Sequence, residues 1–189
     1  NIYMWKYILL VVILYLILLI LLPKRYIFAL LTYPFMYPDN EEESKIVEKL
    51  ANARTYQDEV FFKLTDPSVI HAFKKHVDES EEELDYIISR PSITGITLYL
   101  KYSINRARPH QVNKNIKPLE STTADTPAYP AGHALQAYFL AEVLGKKYPE
   151  KKVLFDKIAK DCDNVRVKAG LHYPSDGVFA KRIVDFVYN

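Results

Sequence analysis

Apolar and polar residues are distributed very unevenly along this chain of 189 residues. Residues 8–22, ILLVVILYLILLILL, form an uninterrupted apolar run, and aromatic residues stand on both sides of it. A helix needs about twenty apolar residues to cross a bilayer, and aromatic rings favour the two interfaces. The run therefore predicts one N-terminal transmembrane helix, a membrane anchor over residues 1–25, which stays uncleaved because no small-residue cleavage site follows it.

A proline-broken segment and then a polar domain follow the predicted anchor. Residues 26–40 contain Pro34 and Pro38 and are too short and interrupted to cross a bilayer again, so they predict an interfacial linker. No later apolar run approaches spanning length, and residues 41–189 are therefore predicted to form one domain. The side of the membrane on which this domain lies stays open.

The spacing of apolar residues after the linker is that of helices. In residues 41–64 apolar positions recur mostly at intervals of three and four. Asp66 with Pro67 predicts the start of the next helix, and Ser80 with Glu83 predicts a capping box. Further helices are predicted over residues 92–107, 131–147, 150–169 and 174–188, with a proline-containing loop at 109–130. Strand-like alternation is almost absent, so the predicted fold class is all-α.

Charge and cysteine content exclude some classes of function. The chain has 25 Lys and Arg against 23 Asp and Glu, a formal net charge of +2. This near-balance argues against general nucleic-acid binding, which requires a marked basic excess. Cys162 is the only cysteine, so an intramolecular disulfide and a cysteine-based zinc site are both excluded. The oligomeric state is left open.

The first cluster with candidate chemistry is KYSINRARP, at the end of a predicted helix. Lys101 and Arg108 are seven residues apart, and two helical turns would place them on nearly the same face. Pro109 would end that helix. Arg106 lies well round the helix from both cations and is assigned to the surface. Two cations at a helix end are also compatible with a solvated surface.

The second cluster is TPAYPAGHA, which leads directly into an amphipathic helix. Free backbone N–H groups at a helix N-terminus bind anions, and a glycine such as Gly132 allows close approach. His133, in the first turn, is placed to donate a proton to an oxygen held there. The alternative is that His133 is only a polar residue near a helix start.

The third cluster is VRVKAGLHYPSD. Arg166 would lie on a helix that Gly170 ends, and six residues of continuous helix would rotate His172 away from Arg166 by about 240°. The glycine and the turn before Pro174 are therefore needed to bring the two side chains together. Asp176 follows His172 by four residues, and such a carboxylate can hold an imidazole in one tautomer. A solvated surface pair is the alternative.

In order and spacing, the three clusters resemble the motifs K-x6-RP, PSGH and SR-x5-H-x3-D of the type 2 phosphatidic acid phosphatase (PAP2) superfamily. That superfamily also contains bacterial class A acid phosphatases and vanadium haloperoxidases. The matching residues are Lys101, Arg108, Pro109, Pro130, Gly132, His133, Arg166, His172 and Asp176. The resemblance covers about residues 92–180. The two motif serines are replaced by Ala131 and Val165, and losing the first removes one phosphate hydrogen bond, worth about 0.5–1.5 kcal/mol.

The resemblance implies a helical bundle of the PAP2 and haloperoxidase type that hydrolyses phosphate monoesters without a metal or other cofactor. It implies seven site residues: the catalytic His172, His133 and Asp176, and the phosphate-binding Lys101, Arg108, Gly132 and Arg166. In these roles His172 attacks phosphorus and forms a phosphohistidine, Asp176 orients and stabilises its ring, and His133 protonates the leaving group.

The predicted anchor and the resemblance together favour a lipid phosphate such as phosphatidic acid as the substrate, with the lipid bilayer as a partner. A soluble phosphomonoester or a lipid pyrophosphate would use the same core. Two other functions stay open. One is a vanadium-dependent haloperoxidase, because the same cage binds vanadate. The other is a non-catalytic, membrane-tethered module that binds an anion.

Overall fold

The computed structural model describes residues 2–21 and 37–188, and within these two ranges every regular element is a helix. The α-helices are α1 (Ile2–Leu21), α2 (Asn40–Asn52), α3 (Tyr56–Thr65), α4 (Ile70–Phe73), α5 (Glu81–Ile88), α6 (Pro91–Ile104), α7 (Pro109–Val112), α8 (Gly132–Lys147), α9 (Lys152–Lys168) and α10 (Pro174–Tyr188). Short 3-10 turns cover Lys74–His76 and Pro149–Lys151. The all-α prediction is confirmed for the described part of the chain.

The N-terminal prediction has a different outcome. Helix α1 falls within the predicted anchor. Among the residues that the structure describes, however, no helix combines the length and the apolar character needed to cross a membrane. The transmembrane helix predicted over residues 1–25 is therefore not found there. Residues 22–36, which include the end of the predicted anchor and most of the predicted linker, lie outside the described residues.

Helix α8 is the central element of the domain, because it contributes to two apolar clusters. One cluster joins α8 to α4, α5 and α9, and the other joins it to α6 and α10. Fully burying a leucine or phenylalanine side chain contributes about 1.5–3 kcal/mol, so these contacts supply much of the stability. The largest fully buried side chains of the two clusters are Phe73, Phe155, Leu84, Ile93 and Leu135.

The helical pattern predicted over residues 41–64 is interrupted once. Helix α2 ends at Asn52, and α3 starts after a capping box in which Thr55 and Asp58 each accept a hydrogen bond from the other's backbone N–H group. The capping box at Thr55 thus starts a new helix within a segment whose apolar spacing alone predicts continuous helix. The capping box predicted at Ser80 and Glu83 is confirmed, with N–H to oxygen distances of 2.7 and 3.2 Å.

The helix start predicted at Asp66 is wrong. Asp66 instead follows the last turn of α3 as its C-cap, and α4 begins only at Ile70. The reason is that the Asp66 carboxylate does not cap a helix. It accepts hydrogen bonds from the Ser121 hydroxyl at 2.6 Å and the Thr122 backbone N–H at 3.1 Å, and it pairs with Arg166.

The ends of two helices direct the chain toward one region. Helix α6 ends at Ile104, three residues earlier than predicted, and Asn105 takes a left-handed conformation at φ 51° and ψ 45°. Helix α9 ends at Lys168, and Gly170 has a φ of 75°, close to the predicted helix end. Asparagine and glycine are the residues that tolerate this backbone conformation, so each marks a sharp change in chain direction.

We predict that Gly170→Ala lowers the free energy of unfolding by about 1–3 kcal/mol, the usual cost of a left-handed non-glycine residue. An added Cβ would also lie 2.8 Å from Ile116 Cγ2 and 3.2 Å from Pro118 Cα. Urea denaturation followed by circular dichroism measures the loss. The matched control is Gly95→Ala, in α6, where an added Cβ meets nothing within 4 Å. That variant should be about 0.5–1 kcal/mol more stable, and equal stability of Gly170→Ala and wild type would contradict the prediction.

Candidate active site

A cavity of about 180 Å³ lies between α6, the start of α8, the end of α9 and the segment that precedes α8. Six of the seven predicted site residues line it: Lys101, Arg108, Gly132, His133, Arg166 and His172. The seventh, Asp176, is fully buried directly behind His172. The structure therefore brings together all seven residues from three separate parts of the chain.

Both ring nitrogens of His172 have defined partners. Nε2 lies 2.9 Å from Arg108 Nη1, and Nδ1 lies 3.1 Å from Asp176 Oδ2. A guanidinium group can only donate, so Nε2 is the acceptor and the ring proton is on Nδ1, where it is donated to Asp176. Burial, with Arg108 and Lys101 nearby, holds the pKa of His172 well below its ordinary value. The imidazole is therefore neutral near pH 7 and keeps a lone pair on Nε2, as a nucleophile requires.

Three donors fix the Asp176 carboxylate in place. Besides the His172 ring, Oδ2 accepts the backbone N–H of Tyr173 at 2.9 Å, and Oδ1 accepts Arg106 Nη1 at 2.6 Å. Burial raises the pKa of Asp176, and the adjacent Arg106 charge opposes that rise. The backbone carbonyl of Asp176 also accepts the Ala131 N–H at 3.2 Å. This last bond joins the start of α10 to the start of α8.

Two of the cations are held by backbone carbonyl groups. Lys101 Nζ donates to Pro127 O at 2.5 Å. Arg108 donates to Thr126 O from Nε and Nη2, at 3.0 and 2.8 Å, and to Leu171 O at 2.8 Å. Burial and the nearby Arg166 lower the pKa of Arg108 to about 10, which still leaves it a cation at neutral pH. These neutral acceptors orient the two positive charges without cancelling them.

Asp66 connects the third cation, Arg166, to the second histidine. Its carboxylate pairs with Arg166 Nη1, and its backbone carbonyl lies 2.9 Å from His133 Nε2. Arg166 Nη2 also reaches the hydroxyl groups of Ser121 and Thr123 at 3.4 Å. Arg166 is 1% exposed, and the Asp66 carboxylate offsets part of the cost of burying its charge.

His133 is neutral in this arrangement. A carbonyl oxygen can only accept, so Nε2 carries the ring proton that Asp66 O receives, and Nδ1 carries the lone pair. Burial, followed by the Arg166 charge, lowers the pKa of His133 to about 3. A bound anion would oppose the effect of Arg166 and favour the protonated ring. His133 can therefore serve as an acid once negative charge is present in the cavity.

The start of α8 supplies backbone donors. Its N-cap, Ala131, has no side chain that accepts a first-turn N–H group. The first N–H groups of a helix have no intrahelical acceptor, and together with the helix dipole they favour an anion. A Cβ on Gly132 would lie 3.6 Å from both Lys101 and Thr97, an ordinary contact. Packing alone therefore does not require glycine here, and a residue without Cβ lets a ligand approach the backbone closely.

Two interpretations of the KYSINRARP segment are wrong. Arg106, assigned to the surface, is 1% exposed and bonded to Asp176. Arg108 does not continue the face of α6 on which Lys101 lies, because the helix ends at Ile104 and Arg108 has an extended backbone at φ −72° and ψ 152°. The left-handed Asn105 causes both differences, and asparagine is a known residue type for such helix ends. The sequence thus contained a signal for the earlier end.

Asp66 is a further residue of the site that the sequence did not predict. Its local pattern, Asp followed by Pro, is typical of a helix start, and nothing near it points to Arg166, which lies 100 residues later in the chain. Only the tertiary arrangement relates the two.

A second cavity among the described residues does not repeat this arrangement. A larger cavity of about 740 Å³, between α3, α9 and the start of α10, contains none of the seven predicted residues. Asp163 lines that cavity, and burial raises its pKa to about 7. Over residues 2–21 and 37–188, no group of three or more His, Cys, Asp or Glu side chains is arranged to hold a metal ion.

Comparison with known proteins does not identify a family. No protein-family model matches the chain, and a search of curated proteins finds no match. The resemblance to the PAP2 superfamily rests on the motif residues alone, and their assembly around one cavity is an independent geometric observation.

We predict that binding of an oxyanion takes up protons, at most one per site, because the bound negative charge raises the low pKa of His133. His133 binds more protons with the anion than without it, so the affinity for the anion falls as the pH rises. Tungstate, which does not itself titrate near neutral pH, is a suitable probe for calorimetry in two buffers of different ionisation enthalpy. His133→Gln should abolish the uptake, and buffer-independent heats for wild type would contradict the prediction.

Proposed function

We propose that this protein is a metal-independent phosphatase of the PAP2 type, which hydrolyses phosphate monoesters through a phosphohistidine intermediate. The observation that carries the proposal is the placement of His172: a buried imidazole whose Nδ1 lies 3.1 Å from Asp176 Oδ2 and whose Nε2 lies 2.9 Å from Arg108 Nη1. This nucleophile lies in a cavity that Lys101 and Arg166 also line, and such a group of fixed cations suits a phosphate dianion.

In the first step, the phosphate oxygens take hydrogen bonds from Lys101, Arg108 and Arg166 and from the N–H groups at the start of α8. Arg108 then donates to a phosphate oxygen in place of His172 Nε2. The freed lone pair attacks phosphorus, a P–N bond forms, and the bond from phosphorus to the leaving oxygen breaks. His133 donates a proton to that oxygen, which leaves as an alcohol.

Asp176 supports this step through charge. The imidazole becomes positively charged when Nε2 bonds to phosphorus, and the carboxylate that accepts Nδ1–H stabilises that charge and keeps the ring in one tautomer. In the second step, His133 accepts a proton from water, the water oxygen attacks phosphorus, and the P–N bond breaks. Inorganic phosphate and the original neutral His172 result, so the cycle consumes one water molecule for each ester hydrolysed.

The cavity dimensions bear on the substrate. About 180 Å³ accommodates a phosphate group and a few further atoms, so the remainder of a larger substrate extends past the mouth. Ile93 and Leu98 of α6 line the cavity, and Leu98 is 46% exposed. Helix α1 contacts α6, and its described side chains from Tyr7 to Leu14 are exposed. The apolar side chains that α1 and Leu98 expose support a membrane-bound protein and a lipid phosphate substrate as parts of the proposal.

We predict that wild type forms an acid-labile phosphoenzyme and that His172→Ala removes both the phosphoenzyme and turnover. Asp176→Asn should lower kcat by several powers of ten, comparable to the about 10⁴-fold effect of the analogous substitution in serine proteases. Rapid acid quenching with a ³²P-labelled ester measures the intermediate. His76→Ala is the matched control, because His76 does not line the cavity, and it should behave as wild type. Near-normal turnover by His172→Ala would place the nucleophile elsewhere.

We predict phosphate release that survives EDTA and is inhibited by vanadate, because side chains and N–H groups supply all of the proposed charge stabilisation. A screen of lipid and soluble phosphate esters, with chelator present throughout, tests this and ranks the substrates. Activity that appears only with added magnesium or zinc would contradict the mechanism. Halide oxidation with vanadate and peroxide would favour a haloperoxidase. Vanadate binding with neither activity would favour an anion-binding module.

A further inference from the structure

Arg106, next to the candidate active site, donates four side-chain hydrogen bonds. Its Nη1 donates to Asp176 Oδ1 at 2.6 Å and to Ser175 Oγ at 2.7 Å. Its Nη2 donates to Glu43 Oε2 at 2.8 Å, and its Nε donates to Asn40 Oδ1 at 2.8 Å. One guanidinium thus joins the first turn of α2, which contains Asn40 and Glu43, to the first turn of α10.

Aromatic rings hold the same guanidinium. Its central carbon lies 4.1 Å from the ring centroid of Tyr37, 3.8 Å from that of Tyr173 and 5.8 Å from that of Tyr129. Cations are attracted to ring faces at these distances, and the attraction is stronger where water is excluded. Arg106 is therefore fixed in position as well as charged, far more than a surface arginine would be.

Glu43 is the second carboxylate bound to this arginine. Its side chain is 7% exposed, and besides Arg106 it accepts the backbone N–H of Ser175 at 2.7 Å and the Ser175 hydroxyl at 2.6 Å. Asp176 and Glu43 therefore share one positive charge. A carboxylate charge buried without such a partner would be costly.

We infer that Arg106 is a positioning residue, which keeps Asp176 ionised and aimed at His172, and that Glu43 sets how strongly it does so. The catalytic consequence rests on the proposed phosphatase function, whereas the electrostatic arrangement does not. Arg106 stabilises the ionised form of Asp176, and Glu43, as a like charge, destabilises it. The two residues consequently act on the His172–Asp176 pair in opposite directions.

The other charged and titratable groups around the pair come from several elements. Lys101 lies on α6, Arg108 at the start of α7, His133 on α8, and Arg166 with Asp163 on α9. The phenols of Tyr37 and Tyr129 lie near Asp176. Variants of Arg106 and Glu43 leave all of these groups in place, so they provide a constant background for a comparison of pKa values.

The test replaces each partner by a neutral residue in the full chain, as Arg106→Gln and Glu43→Gln. Titration of the ¹⁵N-labelled imidazole by NMR, assigned with His172→Gln, measures the pKa of the His172–Asp176 pair without requiring catalysis. Removing the positive charge should raise this pKa by about one unit or more, and removing the negative charge should lower it. The acidic limb of kcat should move to higher pH in Arg106→Gln and to lower pH in Glu43→Gln, with KM close to wild type.

Matched controls come from an exposed ion pair on α9. Lys157 and Asp161 lie 2.6 Å apart with 72% and 42% of their side chains exposed. Lys157→Gln and Asp161→Asn make the same changes in net charge as the two test variants, and we expect no shift from either. Opposite shifts in the test variants, without shifts in these controls, would support the inference.

A merely structural role would slow or destabilise both test variants without opposite pKa shifts, and that result would overturn the inference. If circular dichroism shows that Arg106→Gln is unfolded, the variants Arg106→Lys and Glu43→Gln test the inference instead. The lysine keeps the charge but cannot reach all four acceptors, so kcat should fall while the acidic limb stays near wild type, and Glu43→Gln must still lower the pKa. Opposite shifts in a protein without phosphatase activity would support this inference and contradict the proposed function.

Discussion

The buried carboxylate of Asp176 is the point on which the rest of the structure depends. A charge without access to water is tolerated only where donors surround it, and Asp176 receives donors from Arg106, His172 and the Tyr173 backbone. The backbone carbonyl of Asp176 also accepts a hydrogen bond from the N–H of Ala131. The requirement to satisfy this one residue therefore fixes the start of α10 against the start of α8 and, through Arg106, against α2.

The apolar core complements this polar arrangement. Helix α8 packs on both sides, against α9 and α10, and this packing presents its N-terminus at the cavity. The segment before α8 then supplies carbonyl groups, at Thr126 and Pro127, that orient Arg108 and Lys101. The packing of α8 against its neighbours and the hydrogen bonds to these carbonyl groups leave the side chains that line the cavity with little freedom to move. The electrostatic part of the proposed mechanism requires such preorganisation.

The sequence predicted the features of the site that depend on local rules, and it missed those that depend on tertiary contact. Gly170 marks the helix end that brings His172 near Arg166, and the four-residue spacing of His172 and Asp176 places one behind the other. Arg106 was wrongly assigned to the surface, because an assumed continuous helix hid the turn at Asn105. Asp66 could not be predicted, since its partner is remote in the chain and its own neighbourhood is typical of a helix start.

The bond between Arg108 and His172 has a consequence for selectivity. An imidazole with an exposed lone pair reacts with many electrophiles and binds protons and metal ions readily, whereas here the arginine covers that lone pair. Only a ligand with acceptors strong enough to draw the guanidinium away uncovers it. In the proposed enzyme, Arg108 would therefore protect the nucleophilic nitrogen of His172 while the site is empty. Binding of the phosphate group would itself expose that nitrogen.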